Sequence, residues 1–364
     1  MHPNRLVRTM GVALIGMAAL RPAPLRAQAD TVPLPAQPPR RCESLIAFSS
    51  DRDGAPGIYV IDPDGGPARL VVSVPGALQI EWAPDGRRLA FLSVTAEDEE
   101  LFGPFGALRF HAFLYTVNLD GTDLRRRGDY PMSMGFSWSP DGERIALASA
   151  VETGGQTALY VSRLDGSEWR RITDLDGLYM FPEWSADGRL IAFASRKGGD
   201  TALRVVSPEG KEERAVVEVS GSRAFRMFRP VWSPAGRMIA FAEGRDVFVV
   251  SAVEGTPQRI ASGPGEPFGW SPSQRKLLLG EGAEGRGRVY IVDLDTLQQE
   301  DLARDAGAGG ASSPSPEWDR VAYTAIRGEQ AEVFVVGIDG GPPVNLTDHP
   351  ANDYFPVWSP CLGP

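Results

Sequence analysis

The side chains best suited to gripping a ligand are gathered in a few stretches. Met132 and Met134, the run Tyr179, Met180 and Phe181, and the stretch Arg223, Phe225, Arg226, Met227, Phe228 and Arg229 combine thioethers, aromatic rings and guanidinium groups, and Tyr354 adds a further ring. Thioethers adapt to irregular surfaces, and aromatic and Arg side chains dominate the energetics of protein contacts. Such a set points to the binding of a protein or peptide. The longest insertion, residues 94–112, contributes Phe102, Phe105 and Phe110, which either extend that contact or plug the space beneath it. The alternative is a carbohydrate site, with carboxylates from Glu97, Asp98, Glu99, Glu100 and Asp353 and a stacking platform from Tyr179 or Tyr354.

Catalytic constellations are not found. There is no Gly-x-Ser-x-Gly elbow, and beyond the leading segment only His111 and His349 stand as bases or metal ligands, far apart in the chain. The Asp-rich turns at 51–54, 62–65 and 120–123 lack the distal Glu of a calcium loop and read as β-turns. The Gly-rich stretches at 282–287 and 307–310 lack the Lys and Ser or Thr of a phosphate loop. The expectation is a non-enzymatic protein with no cofactor and no metal.

What positions these loops is a repeat. Pro182-Glu-Trp-Ser-Ala-Asp-Gly-Arg-Leu-Ile-Ala-Phe-Ala-Ser195 returns, with variations, around Trp82, Trp138, Trp232 and Trp270. Each copy is a β-hairpin in outline: a strand ending on Trp, an Asp-Gly turn whose positive φ angles suit a tight reversal, and an apolar strand of the type Ile-Ala-Phe. A second strand pair of β-branched and aromatic residues follows, as at Leu159-Tyr-Val-Ser-Arg163. Four short strands per repeat of roughly 40–50 residues is the period of a propeller blade. Seven Ile-Ala-Phe strands align, at 45–49, 89–93, 145–149, 191–195, 239–243, 277–281 and 321–325. The fold expected is all-β: one closed β-propeller of seven four-stranded blades, with six as the alternative. In the degenerate copy beginning at Pro314, Pro314 takes the Trp slot and Trp318 falls in the turn.

The first apolar strand has no Trp unit before it, and the last Trp unit, around Trp358, has no apolar strand after it. Each supplies what the other lacks, so the C-terminal strand is expected to pair into the first blade and close the ring. Cys42 and Cys361 occupy the same slot of the interrupted hairpin, and a disulfide between them is expected.

The repeats resemble those of the TolB-type, WD40-like propeller family, and Asn345-Leu-Thr-Asp-His-Pro-Ala-Asn-Asp-Tyr-Phe-Pro-Val-Trp-Ser-Pro360 is close to the family pattern. The likeness covers about residues 45–360. It implies a stand-alone propeller without the N-terminal α/β domain of TolB; similar repeats also occur in peptidase-associated propellers and sugar lyases.

At the N-terminus, Arg5 and Arg8 precede an apolar run of eleven residues, and Ala27-Gln-Ala29 offers a small-x-small cleavage site. Residues 1–29 therefore read as a signal peptide, 30–41 as a Pro-rich linker and 42–361 as the propeller domain, with no membrane span. Cleavage near Ala29 removes four Arg and no acid, moving the formal charge from −10 to −14. That balance excludes nucleic acid and anionic membrane surfaces as partners. The function expected is an exported, periplasmic or secreted, protein-binding propeller whose partner is an envelope or secreted protein or peptide; the alternative is a glycan-binding or polysaccharide-cleaving one.

Overall fold

The computed structural model describes residues 42–74, 77–94, 112–127, 132–150, 156–174, 176–219, 229–263, 265–282, 287–306, 312–328 and 330–362, with backbone alone at 78, 94 and 132–134. Regular structure among them is entirely β. In chain order, β1 (Ile46–Ser50), β2 (Gly57–Ile61) and β3 (Arg69–Ser73) come first. Then follow β4 (Ala77–Trp82), β5 (Arg88–Val94), β6 (Ala112–Asn118) and β7 (Arg125–Arg126), and β8 (Met132–Trp138), β9 (Arg144–Ser149), β10 (Ala158–Arg163) and β11 (Arg170–Arg171). Next are β12 (Leu178–Trp184), β13 (Ile191–Lys197), β14 (Asp200–Val206) and β15 (Arg214–Val219), and β16 (Val231–Trp232), β17 (Met238–Glu243), β18 (Asp246–Ser251) and β19 (Gln258–Ser262). The series ends with β20 (Gly265–Trp270), β21 (Lys276–Glu281), β22 (Gly287–Asp293) and β23 (Gln299–Ala306), then β24 (Ser312–Pro314), β25 (Arg320–Arg327), β26 (Gln330–Gly337) and β27 (Val344–Asn345), and finally β28 (Asp353–Trp358).

These strands pair antiparallel in fours. Three sheets are four-stranded, β28-β1-β2-β3, β12 to β15 and β16 to β19; two are eight-stranded. Each eight-stranded sheet consists of two sets of four joined by a single residue pair, Ala112 with Met132 in one and Ala306 with Ala325 in the other. Leading strands of successive sets lie beside one another, β8 on β12 and so on through β16, β20, β24 and β28 to β4.

Each set is held to its neighbours by the alternation of the Ile-Ala-Phe strand. Successive side chains of a strand point to opposite faces, so a run of this type presents large residues to one side and Ala to the other. Ile191 and Phe193 of β13 enter the core shared with β9 and β10, whereas Ala192 enters the core shared with Trp232, Ile239 and Phe241. Ile46 and Phe48 of β1 follow the same rule and pack against Ala322, Val333 and Val335 from the far end of the chain, while Ala47 faces Trp82, Leu89 and Phe91. Truncating one of these buried Phe residues to Ala costs about 3–5 kcal/mol in comparable cores.

The repeat Trp residues stitch the sets together. Trp82 Nε1 donates to the carbonyl of Val357 at 2.9 Å, Trp232 to that of Glu183 at 2.9 Å, and Trp270 to that of Val231 at 3.0 Å. Arg88, Arg144 and Arg320 lie over the rings of Trp138, Trp184 and Trp358, at 5.6, 5.0 and 5.3 Å.

The Trp-Ser-Pro-Asp-Gly turn has its own logic. Only its fourth turn residue takes a left-handed φ, as at Gly86 (66°), Gly142 (69°), Gly188 (71°) and Gly236 (67°), so the turn uses one positive φ angle where Asp-Gly had suggested more. The Asp instead accepts a backbone N–H two residues on, Arg87 to Asp85 and Glu143 to Asp141. Ser is the buried pivot: Ser139 Oγ accepts the N–H of Arg144 at 2.9 Å, and Ser185, Ser233, Ser271 and Ser315 accept likewise from the residue five positions later. Trp318 has φ 56° and sits in the turn of the degenerate copy, with Pro314 paired to Val321 in the slot that Trp fills elsewhere.

The same turn is rebuilt from the two ends of the chain. Ser359 Oγ accepts the N–H of Leu45 at 2.9 Å, and the N–H of Ser359 donates to the Leu45 carbonyl at 2.8 Å. β28 pairs with β1, Trp358 opposite Ile46, and a disulfide joins Cys42 to Cys361 across a separation of 319 residues. Constraining so long a loop in the unfolded chain is worth about 5 kcal/mol on the chain-entropy estimate. Replacing both Cys42 and Cys361 by Ser is accordingly expected to lower the unfolding free energy by about 4–5 kcal/mol, read from denaturant midpoints; a loss below 1 kcal/mol would show that the link does not constrain the unfolded chain.

Candidate functional site

The leading strands are irregular at one place. Met180 pairs with Ala194 and Glu183 with Ala192, so Phe181 and Pro182 face only Phe193; Tyr354 pairs with Ser49 and Val357 with Ala47, leaving Phe355 and Pro356 against Phe48. β4 and β8 shift register at the corresponding positions. Bulges of this kind re-aim side chains and increase local twist. Three positions before the repeat Trp the backbone turns left-handed, at Gly135 (φ 95°), Phe181 (52°) and Phe355 (56°). A left-handed conformation costs a residue with a Cβ roughly 1–2 kcal/mol, so the two Phe residues are held there against their preference. A Cβ at position 135 would make only ordinary contacts, 3.4 Å from Phe181 Cδ1 and 3.5 Å from Gln79 Oε1, so it is the left-handed φ that favours Gly there.

The same layer carries an ion cluster drawn from separate sets of strands. Glu81 lies in β4 and Glu183 in β12, each directly before its Trp, and Arg229 stands three residues before Trp232. Arg229 Nη2 donates to Glu81 Oε1 and to Glu183 Oε2, both at 2.7 Å, and its Nε donates to Glu183 Oε2 at 2.8 Å. The Gln79 amide donates to Glu81 Oε1 at 2.6 Å and to the Phe136 carbonyl at 2.9 Å. Residues up to 150 positions apart in sequence thus meet across the inner strands. Burial pushes the Glu81 carboxyl up to about 7, with the Glu183 charge adding to the shift and Arg229 opposing it. Burial works against the Arg229 charge, but the two carboxylates more than offset it and hold the guanidinium firmly protonated.

Of the residues expected to bind a partner, Arg229 is in this cluster and Phe181 is half-buried beside it. Tyr354 is 39% exposed and packs its ring on Phe355, which is 42% exposed. Tyr179 and Met180 correct the expectation: they are adjacent in β12 and point to opposite faces, yet both are buried, because the strand is covered on both sides at this point. Tyr179 packs on Phe193 and donates its hydroxyl to Asp176 at 2.6 Å, and burial together with that carboxylate raises its phenol. Asp353, offered as a sugar-binding carboxylate, is also buried, with both oxygens on Arg52 Nη2 at 3.0 Å. Phe102, Phe105, Arg223, Phe225, Arg226, Met227 and Phe228 lie outside the described residues, as do Phe110 and the acids at 97–100; for Met132 and Met134 the backbone alone is described. Sequence reasoning missed Glu81, Glu183, Gln79 and Phe355. The available signal was positional, since Glu81 and Glu183 both hold the slot before a repeat Trp.

Among the described residues no cluster of His, Cys, Asp and Glu is arranged to hold a metal ion, and no helix is long and apolar enough to cross a membrane. Antiparallel sets of four around a shared inner layer define a β-propeller. Residues 114–263 match the TolB beta propeller domain family, and the repeats are of TolB type. A TolB homologue of Chlorobium luteolum is 30% identical over 155 residues, which is 42% of this chain but only 32% of that protein. Among solved structures, an oligogalacturonate lyase of Vibrio parahaemolyticus aligns with a TM-score of 0.61 at 12% identity, covering 80% of this chain and 86% of its own. A puromycin-hydrolysing peptidase of Mycobacterium tuberculosis also gives 0.61, at 15% identity over 83% of this chain and 53% of its own. Likeness at such identities is a likeness of fold.

The raised Glu81 carboxyl has a consequence for stability. A group whose folded-state pKa lies above its unfolded value stabilises the fold fully below the unfolded pKa and loses that contribution as pH rises through the folded one. For Glu81 the window runs from about 4.5 to about 7. Glu81→Gln, which is neutral throughout, should therefore gain on the natural protein by roughly 2–3 kcal/mol across that window. Denaturant unfolding of both proteins at pH 4.5, 6 and 7.5 checks this, and a constant difference across the series would contradict it.

Proposed function

We propose that the chain is an exported, non-enzymatic propeller of seven blades, closed by β28 on β1, that binds a peptide segment of an envelope or secreted protein at the mouth of its inner strands. The observation that carries this reading is Phe355. It is an exposed aromatic residue in a left-handed backbone conformation, its ring tilted against that of the exposed Tyr354, at the same place in the repeat as Phe181. Strain of this sort persists where the surroundings enforce it and gathers at ligand clamps. Rigid, half-desolvated aromatic rings are the anchors on which protein contacts concentrate their energy.

The supporting features agree in kind. The disulfide suits an oxidising compartment, as does the reading of residues 1–29 as a signal peptide. The TolB-type repeats fit an envelope setting. The three four-stranded sheets and two eight-stranded ones that each divide in two support a count of seven blades.

Binding and folding make opposite demands at residue 355, which gives a sharp test. Phe355→Gly removes the left-handed penalty and should leave the protein as stable as before or about 1 kcal/mol more so, while in-cell crosslinking followed by mass spectrometry loses the specific partner captured by the natural chain. Capture of the same partner at equal yield by Phe355→Gly would overturn the reading.

A further inference from the structure

Beside the degenerate copy of the repeat, the turn side of the strand sets is open. Pro314 holds the slot of the repeat Trp, and the displaced Trp318 has moved in next to it: a Cβ at Gly269 would lie 2.8 Å from Pro314 Cγ and 3.6 Å from Trp318 Cζ3. The two do not fill the space. A concavity of about 370 Å³ remains, lined by Trp270, Trp318 and Trp358, by Pro314, and by the prolines of the successive Ser-Pro turns on either side. Among the described residues no charged side chain lines it. Trp and Pro rings side by side form the kind of surface that receives a polyproline II segment, whose conformation is set before binding and so costs little entropy to hold.

We propose that the occupant is the chain's own residues 37–41, Gln-Pro-Pro-Arg-Arg, with Pro38 and Pro39 laid against these rings. The argument starts from where the described chain begins. The N–H of Cys42 donates to Glu317 Oε1 at 2.8 Å, and Glu317 stands between Pro316 and Trp318, both of which line the concavity. Cys42 is held at that place, by the disulfide to Cys361 and by the Glu43 carbonyl, which accepts the N–H of Leu362 at 2.8 Å. Residue 41 therefore starts at the rim. At about 3.1 Å per residue in a polyproline II segment, Pro39 lies within about 9 Å of Cys42 and Pro38 within about 12 Å. Both can reach the rings next to Glu317.

Charge gives the segment its direction. On the other side of the turn that carries Glu317 is a larger concavity of about 700 Å³, which Cys42 itself lines. Its charged lining is Glu43, Asp62, Asp64, Glu317 and Asp319 against Arg320 alone, and Arg320 is already bonded to Asp64 at 2.6 Å. Arg40 and Arg41, the two residues next to Cys42, enter beside these carboxylates, and the two prolines follow on the apolar side. The order of side chains along the segment matches the order of the two surfaces. A segment tethered at the rim meets its site at an effective concentration in the millimolar range, so it holds the site against a free Pro-rich peptide of similar intrinsic affinity. The turn side is thereby covered from within, and the opposite end of the inner strands is left for a partner.

Photo-crosslinking on the full exported chain tests this, with Gln37→p-benzoylphenylalanine as the probe. Light is expected to link residue 37 within its own chain to the stretches 268–272, 314–318 or 358–360, mapped by mass spectrometry. Pro38→Ser with Pro39→Ser, and separately Arg40→Ser with Arg41→Ser, should each lower that yield by about tenfold, the change that 1.4 kcal/mol of lost contact produces. The proline pair should also shift the indole N–H resonances of Trp270, Trp318 and Trp358 while leaving those of Trp138 and Trp184 in place. The substituted residues precede Cys42 and belong to none of the described strands, so the fold is not at stake. Crosslinks that join two chains would give the concavity to a second copy and overturn the proposal. Crosslinks to other stretches alone, a yield unchanged by either pair, or unshifted indole resonances would overturn it as well.

Discussion

The interaction on which the rest depends is the hairpin made from the two ends of the chain. Each strand set buries the large residues of its Ile-Ala-Phe strand against the set before it and its Ala against the set after, and a linear array of such units leaves apolar faces bare at both ends. Here Ile46 and Phe48 cover the far end, packing on Ala322, Val333 and Val335. Ser359 performs for Leu45 what Ser139 performs for Arg144 within an unbroken repeat. The Cys42–Cys361 disulfide lies at the one turn that has no peptide continuity of its own.

The ion cluster depends on how the strand sets are held against one another. Glu81, Glu183 and Arg229 come from different strand sets, and they meet only because the inner strands are held at fixed distances and angles. A flexible assembly could not keep a buried carboxylate charge poised near neutrality, nor hold Phe181 and Phe355 in backbone conformations that cost them energy. The same layer combines aromatic residues in left-handed conformations with an acidic pair bridged by Arg229. The opposite end of each leading strand, by contrast, ends in a turn whose polar groups are paired, with Ser and Asp absorbing the backbone N–H groups.

Much of the fold was legible in the sequence because it is periodic. The apolar strands fall where the Ile-Ala-Phe alignment places them, β13 at Ile191–Lys197 and β17 at Met238–Glu243, and the displaced Trp318 was recognisable from spacing alone. The pairing of the cysteines followed from their slots in the interrupted repeat. The site was less legible for two physical reasons. Tyr179 and Met180 look like loop residues in sequence, but the strand extends through them and both of its faces are covered there, so both are buried. Glu81 and Glu183 look like ordinary polar residues of a strand, and nothing local indicates that two of them converge on an arginine; that proximity is a property of how the strand sets pack and not of any segment. Phe355 carries no sequence mark of its conformation, since left-handed turns are signalled by Gly or Asn and here a bulge imposes one on Phe.

The central claim is that the ends of the chain complete one cooperative ring. Amide hydrogen exchange on a chain cut after Asn352, which lacks β28, measures it most directly when protection is followed both at β1 and at Val249 and Val250 of β18, on a strand set far from the cut. If the ring is one unit, removing β28 collapses protection at β18 along with that at β1. Loss confined to β1, β2 and β3, with β18 protected as in the full chain, would contradict the claim and show that the strand sets stand as a linear array.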